Sequence, residues 1–115
     1  MFGLRRIQTI APHRASDRFF SGEISLVDVR TRAEYEQVRV PGALHIPLHE
    51  VRARMHEIRD DRPAAFVCRS GHRSAAAARR VARERPDVLN VAGGMGAWLA
   101  AGLPTARCPA PKRPR

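Results

Sequence analysis

Residues 66–80 read FVCRSGHRSAAAARR, and most of what can be said about this chain starts there. The apolar run AAFVC (64–68) is a buried-strand pattern, and from Ser74 to Glu84 alanines recur at helical spacing. Between them lie Arg69, Ser70, Gly71, His72 and Arg73. A structural cysteine needs none of this company. In open α/β sheets ligands sit beyond the carboxyl ends of strands, beside helix N-termini. Gly71 can adopt φ > 0, which lets successive backbone N–H groups face one concavity. The following helix adds its N-terminal partial charge, and Arg69, Arg73 and His72 add more. All of these favour a thiolate, so Cys68 is expected to titrate below the ordinary ~8.5 and to share its site with an anion.

Working outward, Ile7–Ile10 reads as an edge strand. Pro12 opens a helix that stops at Gly22. SLVDVR (25–30) reads as a buried strand, and Thr31 with Glu34 forms a capping box that starts a helix at Arg32. VPGALHIP (40–47) is a turn followed by a short strand. Leu48, Val51, Met55 and Ile58 predict one amphipathic helix through Arg59. The helix from Ser74 should face inward with Ala75, Ala78, Val81 and Ala82. DVLNV (87–91) gives a last strand, and AGGMGAW turns into a terminal helix ending at Gly102. Strands alternating with helices predict an α/β fold with a largely parallel central sheet flanked by helices. The strand order is not legible in this pattern.

With 115 residues, 43% hydrophobic and only 5% aromatic, there is room for one domain whose core is mostly aliphatic. No apolar run reaches the length of a membrane span, and MFGLRRIQTIAPHR lacks the apolar segment of a signal peptide, so the expected location is cytoplasmic. Cys68 and Cys108, forty residues apart, make neither a disulfide framework nor a zinc site. The histidines at 13, 45, 49, 56 and 72 have no partners at ligand spacing, so no metal and no cofactor is expected. The net charge of +10 comes from twenty arginines and one lysine against eleven acids. Four of those charges lie in ARCPAPKRPR, so residues 105–115 are expected to form a disordered basic, proline-rich tail behind a domain spanning 1–104. The remaining charge is interspersed and lacks aromatic interleaving, which argues against nucleic acid. Arg79, Arg80, Arg83 and Arg85 read as a solvated face, His45 and His49 as packing or surface residues, and Gly93, Gly94 and Gly96 as a tight turn. Cys108 reads as a free thiol.

The chemistry divides on loop length. Cysteine-dependent phosphatases and arsenate reductases use C-x5-R, whereas Cys68 to Arg73 is C-x4-R. The smaller ring of amides suits a single transferred sulfur better than a phosphoryl group.

Three segments in order, LVDVRTRAEYEQVRVPGALHIPL, FVCRSGHRSAAAA and NVAGGMGAWLAAGLP, resemble the successive signatures of a single-domain rhodanese, a thiosulfate sulfurtransferase-like protein. The likeness runs from about Ile7 to Pro104. It implies a rhodanese-like fold and a six-residue active loop, Cys68 through Arg73. Cys68 matches the nucleophile that carries a persulfide. Arg69, Ser70, Gly71, His72 and Arg73 match the loop that holds the substrate, and Asp28, Arg30 and Ser74 match positions that support it. The implied partners are a small anionic sulfur donor and a cyanide or thiol acceptor, including a protein thiol. Ser70 stands where thiosulfate-preferring two-domain enzymes tend to carry a basic residue, and VRVPGA (38–43) replaces the usual GHIPGA. Two rivals stay open: a phosphatase or arsenate reductase on the same fold, and a non-catalytic partner-binding module.

Overall fold

The computed structural model describes residues 6–107. Five short strands, β1 (Gln8–Ile10), β2 (Ser25–Asp28), β3 (Leu44–His45), β4 (Ala64–Val67) and β5 (Leu89–Val91), form one sheet in the order β1-β5-β4-β2-β3. Every pairing is parallel. The α/β reading holds, and Ile10 is the buried residue of the expected edge strand.

Alternation along the strands splits the core in two, as the two-residue side-chain period of a strand requires. Val27, Ala64, Phe66 and Cys68 point to one face, where Ala77, Ala78, Val81, Val51 and Ile58 cover them. Leu26, Ala65 and Val67 point to the other, against Ala15, Met95 and Trp98. The first cover is α3 (His72–Val81); the second is α1 (Pro12–Phe20) with α4 (Gly94–Ala100). β4 is buried at all four positions, which explains its unbroken apolar run.

Two expectations are corrected. The segment from Leu48 is not one helix but two 3-10 turns, Leu48–Glu50 and Met55–Glu57. The apolar positions explain this, because 48 and 51, then 55 and 58, are three apart, the repeat of a 3-10 turn. Two tethers fit the change: Leu48 donates its N–H to the Val29 carbonyl at 3.1 Å, and Ile58 is already extended toward β4. The second correction concerns α3, which starts at His72 rather than Ser74 and ends at Val81 rather than Glu84. Its buried residues are Ser74, Ala77, Ala78 and Val81, with Ala82 just beyond; Ala75 is half-buried. Ser74 therefore faces inward.

The short helix α2 (Arg32–Gln37) buries none of its own residues and is held by its capping box, with Thr31 Oγ1 accepting from Glu34 N–H and Glu34 Oε1 accepting from Thr31 N–H. Near the C-terminal end of the described residues the chain packs back on the domain. Trp98 Nε1 donates to the Pro104 carbonyl at 2.9 Å, and Ala106 exchanges two backbone hydrogen bonds with Arg39. Cys108 and the rest of the expected tail lie outside the described residues.

Candidate functional site

Cys68 leaves β4 on the α3 side of the sheet and is 0% exposed. The chain then turns through Gly71, whose φ of 105° is the left-handed backbone that the sequence called for. That turn aims the Gly71 N–H at Cys68 Sγ, 3.0 Å away. Ser74, on the first turn of α3, brings its hydroxyl to 3.3 Å from the same sulfur. Burial pushes the Cys68 thiol up, but the Ser74 hydroxyl and the backbone N–H groups of Ser74, Gly71 and Ser70 together outweigh it. The net shift is downward. The expected convergence of amides on the sulfur is therefore present.

The other side of the loop is fixed by α4. Met95 N–H donates to the Cys68 carbonyl at 2.7 Å, and Gly96 N–H to the Arg69 carbonyl at 3.0 Å. With these carbonyls turned toward α4, the loop's N–H groups are free to face the sulfur. The contact requires glycine at 94, where a Cβ would sit 2.3 Å from the Cys68 carbonyl oxygen. The sequence marks the pair Gly93–Gly94 only as a tight turn. Its second role, close approach of two backbones, has no sequence signal apart from the glycine itself.

Asp28 and Arg30 form a buried, doubly hydrogen-bonded pair, with Arg30 Nη2 to Asp28 Oδ2 at 2.8 Å and Arg30 Nε to Asp28 Oδ1 at 3.0 Å. Arg30 Nη2 also donates to the Val38 carbonyl at 2.6 Å. The pair thus fastens the chain on both sides of α2, and neither side chain hydrogen-bonds to the 68–73 loop. The link from α2 to the loop is made instead by Glu34, whose carboxylate takes Arg73 Nη1 at 2.6 Å and Nη2 at 2.8 Å. The Arg73 hydrogen bond is the main cause that holds the Glu34 carboxyl down at about 2. Arg73 therefore has its charge balanced and two of its five N–H donors occupied. The sequence marks Glu34 only as a cap.

The mouth of the loop is polar. Arg69, Ser70 and His72 are exposed, and Ser70 Oγ meets His72 Nδ1 at 3.1 Å. The Arg69 side chain makes no hydrogen bond or ion pair among the described residues, so its guanidinium is available to an incoming anion. Beside Arg73 opens a cavity of about 280 Å³ with largely apolar walls from Val29, Pro47 and Leu48. His45 stacks on Tyr35 and hydrogen-bonds to the Arg30 carbonyl at 2.8 Å, which makes it a packing residue; His49 is exposed. Among the described residues no group of His, Cys, Asp and Glu could hold a metal ion, and no helix is long and apolar enough to cross a membrane. Asn90, the middle residue of β5, also enters the site, touching both Ser74 and Gly71. It too was absent from the residues singled out by sequence.

Comparison with known proteins agrees with this fold. The family described as Rhodanese-like domain matches residues 11–101. A sulfurtransferase of Allochromatium vinosum is 45% identical over 83 residues, which cover 71% of this chain and 78% of that protein. The HTH-type transcriptional regulator Rv0324 of Mycobacterium tuberculosis is 40% identical over 86 residues, covering 73% of this chain but only 38% of the regulator. Among solved structures, a thiosulfate sulfurtransferase from Pseudomonas aeruginosa superposes with a TM-score of 0.80 at 23% identity, over 92% of this chain and 20% of that one. At that identity the likeness is one of fold.

Proposed function

Given that the chain belongs to the rhodanese-like domain family, we propose that it is a sulfurtransferase working through a persulfide on Cys68. The observation that carries this reading is the set of donors around Sγ, the Gly71 N–H at 3.0 Å and the Ser74 hydroxyl at 3.3 Å, which shift the thiol downward against its burial. The sulfurtransferase among its relatives supports the same class.

In the proposed first half-reaction the Cys68 thiolate attacks the outer sulfur of thiosulfate or another sulfane donor. The donor's S–S bond breaks, and its electron pair leaves with sulfite or the equivalent group. In the second, cyanide or a thiol attacks the outer sulfur of the persulfide, and the Cys68 sulfur leaves as a thiolate. This is covalent catalysis by an activated nucleophile. The amides that hold the resting thiolate also stabilise it as a leaving group. Arg69, whose guanidinium has no partner among the described residues, attracts the anionic donor. Arg73 positions the loop through Glu34 more than it binds substrate, and the cavity beside it accommodates the body of an acceptor thiol. A reducing cytoplasmic setting suits a free Cys68.

The test is an intact mass after incubation with thiosulfate. Wild type should gain one sulfur and lose it again on addition of cyanide, and Cys68→Ala should gain none. A phosphatase would gain no sulfur and would hydrolyse an aryl phosphate. A binding module would do neither.

A further inference from the structure

The Ser74 hydroxyl stands between two acceptors. Its oxygen is 3.3 Å from Cys68 Sγ on one side and in close contact with Asn90 Oδ1 on the other. A serine hydroxyl has one proton to donate. Which end of the Asn90 amide faces Ser74 is settled at its other end. Nδ2 donates to the Gly71 carbonyl at 3.1 Å, and a carbonyl can only accept, so Oδ1 must face the hydroxyl. Ser74 is 0% and Asn90 7% exposed, so bulk water does not stand in for either partner.

We propose that Asn90 is a positioning residue for sulfur transfer: it holds the Ser74 proton while the Cys68 sulfur is uncharged and yields it when that sulfur becomes anionic. This rests on the persulfide reading above.

With Cys68 as a thiol, S–H donates to Ser74 Oγ and Ser74 O–H donates to Asn90 Oδ1, so each group is satisfied. When the thiol proton is lost to solvent, the Ser74 proton turns to Sγ. Asn90 Oδ1 is then left facing an oxygen lone pair. Attack on the donor makes a new S–S bond at Sγ, the donor's own S–S bond breaks with its electron pair on the leaving group, and the charge resides on the outer sulfur. Sγ is now neutral, and the hydroxyl proton returns to Asn90. When the acceptor thiolate takes the outer sulfur, the electron pair of the Sγ–S bond stays on Sγ, and the Ser74 proton turns back to it. Asn90 thus competes with the thiolate for one proton and receives it whenever the sulfur is neutral.

The charged and titratable groups around Cys68 are Arg69 of the loop, His72 and Arg73 of α3 with Glu34 of α2, and the Asp28–Arg30 pair at the end of β2. β5 and the start of α4 contribute none. All of them are kept in the test, which follows the ultraviolet absorbance of the Cys68 thiolate against pH in a Cys108→Ser background, where Cys68 is the only thiol. Asn90→Ala should lower the midpoint by roughly half a unit to one unit, the worth of one neutral hydrogen bond. Ser74→Ala should raise it, and adding Asn90→Ala to Ser74→Ala should produce no fall. If Asn90 merely props the loop, its loss weakens the Gly71 N–H contact and the midpoint rises with or without Ser74. A rise, or no movement, overturns the proposal. Asn90→Leu, of similar size and without a polar atom, replaces the alanine variant if that does not fold and carries the same expectation. The titration uses no sulfur donor. Failure of the sulfurtransferase reading, seen as no sulfur gained by wild type, is therefore distinguishable from failure of the role given to Asn90.

Discussion

Two helices begin beside this site, and they begin differently. α2 is closed by its own side chains, with Thr31 and Glu34 satisfying each other's backbone N–H groups. α3 follows Gly71, an N-cap in a left-handed conformation with no side-chain cap bond. Its free donors go to a sulfur instead, because the Gly71 N–H, the Ser74 N–H and the Ser74 hydroxyl all favour the charged Cys68. An ordinary helix start satisfies its first amides locally. One that leaves them open toward a cysteine creates a place for negative charge. The two starts are also joined, since the Glu34 that completes one cap takes both Nη atoms of Arg73 from the other.

The largest expected effect comes from removing what the open helix start serves. Cys68→Ser should reduce sulfur transfer to the assay background while the thermal midpoint changes little, because serine nearly fills the same volume. Retained turnover in a thiosulfate and cyanide assay would break the comparison outright. A smaller loss should follow from closing α3. Gly71→Asn tolerates positive φ better than other side chains and supplies a capping oxygen, which would draw the Ser74 N–H away from the sulfur. Turnover should fall on the order of a hundredfold, the scale of losing one oxyanion-hole donor, and the thiolate absorbance should shift to higher pH.

Opening α2 should act on stability instead. Thr31→Ala should lower the unfolding free energy by about 1 kcal/mol, as for other lost N-caps, with turnover within a factor of a few. The acid limb gives a sharper form of the same test. Glu34 falls from an ordinary 4.5 to about 2 in the folded chain. Its depressed value adds stability at pH above its unfolded pKa, and this is lost as pH falls through the folded value. Denaturant unfolding between about pH 5 and pH 2 should therefore show a slope in wild type that is shallower in Glu34→Gln. The smallest effect should come from truncation after Arg107. It keeps the Ala106–Arg39 pairing and should leave both midpoint and turnover unchanged; a clear loss in either would assign the removed residues a role.

The fold was legible wherever a local rule determined it. The strand at 64–68, the capping box at Thr31 and the positive φ at Gly71 each follow from residue type and spacing. The 48–58 segment was misread because Leu48, Val51, Met55 and Ile58 fit a helix and a pair of 3-10 turns almost equally well, and tertiary tethers decide between them. At the site, Cys68 and its loop were legible because they are contiguous. Glu34, Asn90 and Gly94 were not, since each reaches the loop from another strand or helix through a contact between residues far apart in sequence.

The strand order has a consequence for how the molecule is assembled. β2 pairs with both β3 and β4 early along the chain, but among the described residues β1 pairs only with β5, joining Gln8 to Leu89. Closing so long a loop is costly until the contacts it permits are made. The same late segment supplies Asn90 and the α4 amides that hold the Cys68 and Arg69 carbonyls. A nascent chain that ends before Leu89 thus already contains Cys68 but lacks the groups that shape its loop. The thiol is made first, and its environment is finished when the last strand docks.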